Sequence, residues 1–76
     1  MSTVTEYRSD TPPTLAEAQT AVGGYVEVVR IDGRELLVNE EGLLRNLPVN
    51  REASALAGQH IVGDVVILEG AARGEW

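Results

Sequence analysis

The sequence predicts a small α+β domain, and three observations carry that expectation. Asp32-Gly33 separates two runs rich in β-branched and apolar residues, YVEVVRI at 25–31 and RELLV at 34–38. A Thr-x-x-Glu pattern opens an amphipathic stretch that a glycine pair closes. A last apolar run, HIVGDVVIL at 60–68, follows a stretch of good helix formers. The architecture expected from these is a three-stranded antiparallel sheet, with the N-terminal helix on one face and short helices in the long crossover to the last strand.

Taken in order, residues 1–13 are polar and end on Pro12-Pro13, which neither starts a strand nor sits inside a helix, so a disordered lead is expected. Thr14 and Glu17 form a capping box, each side chain satisfying a backbone N–H at the helix start. Leu15, Ala18 and Val22 share one face, with Ala21 beside them. Gly23-Gly24 supplies the left-handed geometry of a helix C-terminus, which gives a helix over 15–22. At about two turns it cannot stand alone and must pack on a sheet.

An Asp-Gly turn between two strands is a strong hairpin signal, because a type I′ turn needs positive φ at both central positions. A two-residue turn also fixes the register: Ile31 faces Arg34, Arg30 faces Glu35, Val29 faces Leu36 and Val28 faces Leu37. Arg30 and Glu35 then form a directly opposed ion pair, worth a few tenths of a kcal/mol. Apolar residues point to both faces of this hairpin, which a half-solvated sheet would not need, so both faces should be covered by helices or by a second subunit.

Asn39 can cap a short helical segment with Glu40 and Glu41 in its first turn. Leu43, Leu44 and Leu47 supply its apolar contacts, and Pro48 ends it. Asn50 reads as a second N-cap, followed by helix 51–57 (REASALA) and its stop at Gly58. Gly63-Asp64 marks a bulge or bend in the last strand. The domain is therefore expected to span 14–69, with a flexible tail over 70–76 and both chain ends dispensable for folding.

Composition sets the limits on function. The chain has 76 residues, 12 acidic against 6 basic side chains and a net charge of −6. That balance argues against nucleic acid and anionic membranes as partners, and fits either simple solubility or an acidic surface that meets a basic protein. There is no cysteine and one histidine, His60, so disulfides, thiolate metal sites and His-rich metal sites are excluded. No apolar run approaches a membrane span or the core of a secretory signal, so a cytoplasmic protein is expected. Aromatic content is only 4%, so the core rests on Val, Leu, Ile and Ala, and a homodimer is one way to add burial.

No motif marks an enzyme. Glu40 and Glu41 are sequence neighbours and do not face the same way on a helix, which makes a poor acid–base pair. Ser54 has no base beside it and no nucleophile elbow around it. Gly23-Gly24 follows a helix, whereas a phosphate loop precedes one. Asn50-Arg51, a helix start beside a guanidinium, suits an anion better than the glycine pair does, although an N-cap plus a surface Arg is the simpler account of it. The polar groups between 39 and 51 exceed what packing of the leucines requires. Asn39, Glu40, Glu41, Arg45, Asn50 and Arg51 are therefore the expected contact residues for a ligand or partner. Thr14, Glu17, Gly23, Gly24, Asp32, Gly33, Pro48, Gly58 and Gly63 are the expected structural positions. No cofactor and no metal is expected.

One resemblance adds to this reading. The runs VGGYVEVV at 22–29, LVNEEGLL at 37–44 and LPVN at 47–50, with Ala55-Leu56 and GDVV at 63–66, are similar to small domains of unknown function encoded by bacteriophages, plasmids and some actinobacterial genomes. Gly23, Gly24, Asn39, Glu40, Gly42, Pro48 and Asn50 match the recurring pattern. The resemblance covers roughly residues 14–69 and implies no known chemistry. It implies a phage or mobile-element accessory protein that modulates a host protein or defence system in the host cytoplasm. The alternative function is a small-ligand protein that binds or sequesters a nucleotide.

Overall fold

The computed structural model describes residues 2–7, 12–31 and 33–70. Its elements, in chain order, are β1 (Val4–Tyr7), α1 (Leu15–Val22), β2 (Val26–Ile31), β3 (Arg34–Asn39), α2 (Arg51–Ala57) and β4 (Val65–Glu69). The α+β class is as expected, but the sheet is larger and not wholly antiparallel. Four strands lie in the order β1-β4-β3-β2. β3 is antiparallel to both β2 and β4, whereas β1 runs parallel to β4.

The extra strand corrects the expected disordered lead. Val4 to Tyr7 pairs with Val65 to Leu68. Its start is anchored by Thr3, whose N–H donates to Asp64 Oδ1 at 2.8 Å and whose carbonyl accepts from Val65 N at 3.0 Å. Residues 8–11 and the expected flexible tail from 71 onward lie outside the described residues.

α1 forms where its start and stop signals placed it. Glu17 N–H donates to Thr14 Oγ1 at 3.1 Å and Thr14 N–H donates to Glu17 Oε1 at 2.9 Å, which completes the capping box. Gly23 closes the helix in the left-handed region. The hairpin register is the expected one, with Ile31 opposite Arg34 and Arg30 opposite Glu35. Arg30 Nε donates to Glu35 Oε2 at 3.0 Å, and a second cross-strand pair joins Arg34 Nε to Glu69 Oε1 at 2.6 Å. Asp32 lies outside the described residues, but Gly33 has φ 77°, the geometry a side chain with a branched Cβ rarely adopts. Gly33→Val is expected to lower stability by about 1–3 kcal/mol. An unchanged melting temperature for that variant would contradict this turn.

Strand alternation divides the core between the two faces. Leu37, Val66 and Leu68 pack with Ala18 on one side, with Ala21, Val26, Val28 and Tyr7 at its margin. Leu36, Val38, Val65 and Ile67 pack with Ala53 and Ile61 on the other, flanked by Val4, Val29, Ile31 and Ala57. One helix of the chain thus sits against each face, although Val26, Val28, Val29 and Ile31 of β2 remain only half-buried. α2 is only 7 residues long. It leaves the β2 side of its face incompletely covered.

Two further expectations change. The segment after Asn39 is not a helix but a series of turns over 40–46, with single bonds such as Arg45 N–H to Glu41 O at 2.9 Å. Gly42 is buried there, and a Cβ on it would come within 2.7 Å of Val62 Cγ2. The last strand is also shorter than 60–68. Val62 forms only an isolated bridge to Val49, and Gly63, with φ 81°, breaks the run before β4.

Candidate functional site

The polar residues expected to make contacts separate into two groups. Asn39 and Asn50 are buried, at 5% and 2% exposure, and both amides are engaged internally. Asn39 Nδ2 donates to Val22 O at 3.1 Å, and its Oδ1 accepts from Glu41 N at 2.8 Å. It ties the end of α1 to the start of the turn rather than capping a helix. Asn50 caps α2 by accepting from Ala53 N at 3.0 Å, and its Nδ2 donates to both Thr3 O and Gly63 O. Asn50 thereby joins α2, β1 and the 62–64 turn. Arg45 Nη1 donates to Gly23 O at 2.9 Å, a second tie between the turn and α1. These three side chains hold the frame.

Glu40, Glu41 and Arg51 are exposed. Arg51 is the first residue of the seven-residue α2, where Asn50 Oδ1 already accepts from Ala53 N, so the anion site suggested by Asn50-Arg51 gains no further support. Ser54 is a clamp that sequence reasoning did not find. Its Oγ donates to Ile61 O and accepts from Ile61 N, fixing the 58–61 connection to α2. Nothing local in the sequence signals that role, because the partner lies on the returning segment.

Three concavities border the turn among the described residues. The smallest, of about 260 Å³, is lined by Ser2, Gly23, Asn39, Arg45, Pro48 and Asp64 among others. One of about 350 Å³ lies between α1 and the turn, at Gln19, Gly24, Tyr25, Glu41 and Arg45. The largest, of about 490 Å³, lies on the α2 side of the sheet between β2 and the turn. Its floor is Val29, Val38, Ile61 and Val62, its wall is Leu43 and Leu44, and its rim carries Glu27, Glu40 and His60. No Lys or Arg is among its described lining residues. The leucines were expected to pack inward with Leu47. Only Leu47 is half-buried, whereas Leu43 is 70% and Leu44 84% exposed. The turn is pinned by Asn39 at its start and by Leu47 N–H to Gly42 O at its end. That closure holds the Leu43–Leu44 corner outward.

Among the described residues no cluster of three or more His, Cys, Asp or Glu is placed to hold a metal ion, and no helix is long and apolar enough to cross a membrane. Replacing Glu40 and Glu41 together by Gln is expected to change stability by well under 1 kcal/mol, since exposed charges at a turn contribute little. A fall in melting temperature comparable to that of a core substitution would show that they have a structural role.

With the geometry in place, comparison with known proteins decides the family. A profile of the family described as "Domain of unknown function (DUF3846)" matches residues 2–76. The chain belongs to the DUF3846 family. The match reaches back through β1, which agrees with the N-terminal strand being part of the domain. Neither the curated proteins nor the solved structures contain a significant match to the chain.

Proposed function

We propose that this DUF3846 chain is a non-enzymatic binding module that engages a protein partner through the groove between β2 and the 40–46 turn. The observation that carries this reading is the pair Leu43–Leu44, held out at 70% and 84% exposure beside a floor of Val29, Val38, Ile61 and Val62. Adjacent leucines on a pinned corner lose little further freedom on binding, so burying them contributes most of its hydrophobic gain to affinity. The acidic rim and the net charge of −6 select a basic partner surface. The resemblance to mobile-element domains makes a host protein the natural target and the host cytoplasm the place of action. Asn39, Arg45 and Asn50 act in this reading as the frame, and Glu40 and Glu41 as contacts.

The test is recovery of partners from cells that carry the gene, using the wild-type chain and the variant L43S/L44S. The expected result is a protein that copurifies with the first and not the second, at equal folded yield. A partner retained by the double variant but lost on changing exposed Ala16 and Thr20 of α1 would contradict the placement. Release of a nucleotide on heating the purified chain would favour small-ligand binding instead.

A further inference from the structure

The outer edge of β2 borders the same groove, and it has the features of a strand that accepts another. Among the described residues β2 is the last strand of the sheet, pairs only with β3 within it, and runs six residues in unbroken register without Pro or bulge. Its hydrogen-bonding parity is fixed by Glu40 N–H donating to Tyr25 O at 2.9 Å, since those residues continue the Val26–Asn39 register by one step. Odd-numbered residues of β2 therefore bond to β3 in the antiparallel ladder, and Val26 and Val28 turn their N–H and C=O groups outward. The strand carries none of the Pro residues, bulges or lysines that commonly blunt an edge, and its charged side chains are Glu27 and Arg30.

Side-chain burial along the strand points the same way. Val26 and Val28 are half-buried on the α1 face, and Val29 and Ile31 are half-buried on the α2 face. A helix lying in the groove would complete the second row and leave the first untouched. An extended segment beside β2 reaches both rows at once, because its side chains alternate between the faces: apolar ones lie along Val26 and Val28, and the aliphatic stems of basic ones run over Val29 toward Glu27. On the groove side it passes exposed Glu27 and approaches Glu40. A second copy of this chain suits that edge poorly. It brings its own charge of −6, which opposes the close approach of two copies.

We infer that the partner enters as an added strand: an extended segment alternating apolar and Lys or Arg side chains, main-chain bonded to Val26 and Val28, with its basic side chains toward Glu27 and Glu40. This rests on the protein-binding reading above and specifies the form of the bound segment. The experiment titrates the 15N-labelled full chain with a short end-blocked peptide alternating Lys and Val, followed by amide NMR shifts. The expected result is saturable movement of the Val26 and Val28 amides together with Leu43 and Leu44. The same peptide N-methylated along one edge should bind about tenfold or more weakly, as should the Val28→Pro chain, because each removes main-chain bonds at the junction. A Glu/Val peptide should not bind. The peptide-side change keeps the test valid if Val28→Pro does not fold. Shifts confined to Leu43, Leu44 and the groove floor, with Val26 and Val28 unmoved, would overturn strand addition and leave the binding module standing. No shift at millimolar peptide, or equal binding of the Glu/Val peptide, would also overturn the inference. Concentration-dependent shifts of Val26 and Val28 without peptide would assign the edge to a second copy and overturn it as well.

Discussion

Asn50→Ala is expected to lower stability by about 2–4 kcal/mol. The side chain is 2% exposed and serves three elements together. Its Oδ1 accepts from Ala53 N at the start of α2, a cap worth about 1 kcal/mol. Its Nδ2 donates to Thr3 O at 3.0 Å and Gly63 O at 2.8 Å. Thr3 O keeps a second donor, Val65 N, whereas Gly63 O lies at a buried residue, and an acceptor stripped of its donor there costs about 1–3 kcal/mol. For a domain of this size the loss corresponds to a fall in melting temperature of roughly 10–25 °C. Asn50→Asp separates the two contributions. It keeps the cap acceptor but turns a carboxylate toward two carbonyl oxygens, so it should be at least as damaging as Ala. If Asp restored most of the wild-type melting temperature, the cap alone would account for Asn50 and the ties to Thr3 and Gly63 would carry no weight.

Removal of residues 2–11 is expected to abolish cooperative folding or to lower the melting temperature by an amount comparable to Asn50→Ala. This reverses the expectation, drawn from composition, that the N-terminal end is dispensable. β1 covers the edge of β4, whose Val65, Val66, Ile67 and Leu68 are all at 1% exposure or less. Val4 packs at the margin of one core cluster and Tyr7 at the margin of the other, so the truncation opens both faces. It also removes Thr3, the partner of Asp64, Val65 and Asn50. Circular dichroism on heating distinguishes the outcomes. A truncated chain that melts cooperatively at the wild-type temperature would show that β1 is an accessory to a three-stranded fold.

These two predictions fall where local sequence patterns are silent. The capping box at Thr14 and Glu17, the hairpin register across Asp32-Gly33 and the cap at Asn50 are written within a few residues of one another, and each was legible. β1 was not. V-T-E-Y is short, lies before Pro12-Pro13, and takes its meaning from β4: the Thr3–Asp64 bond spans 61 positions. Parallel pairing leaves no turn signature to read. The turn after Asn39 was misread for a related reason. Glu40-Glu41 after an Asn suits a helix start, but Asn39 is the last residue of β3 and spends its amide on Val22 O and Glu41 N. Gly42, packed against Val62, and the bond from Leu47 N to Gly42 O then close the segment as turns. That tertiary closure also explains why Leu43 and Leu44, which composition alone assigns to a core, stand outside it.

The same residues separate frame from surface at the candidate site. Asn39, Arg45 and Asn50 are among the expected contact residues, Asn39 and Asn50 also as helix caps, and their side-chain donors are taken up by backbone carbonyls of Val22, Gly23, Thr3 and Gly63. The groove they support is apolar, and its significance depends on an exposure that no sequence pattern reports. Substitutions at the three framing residues should therefore weaken binding only in proportion to lost stability, whereas changes at Leu43 and Leu44 should weaken binding at unchanged stability.

The most direct test of this account is photo-crosslinking in cells that carry the gene, with a photoreactive amino acid placed at position 44 in one chain and at position 16, on the exposed face of α1, in another. The account predicts a discrete crosslinked protein from position 44 and none from position 16. A discrete crosslink from position 16 with none from position 44 would contradict it.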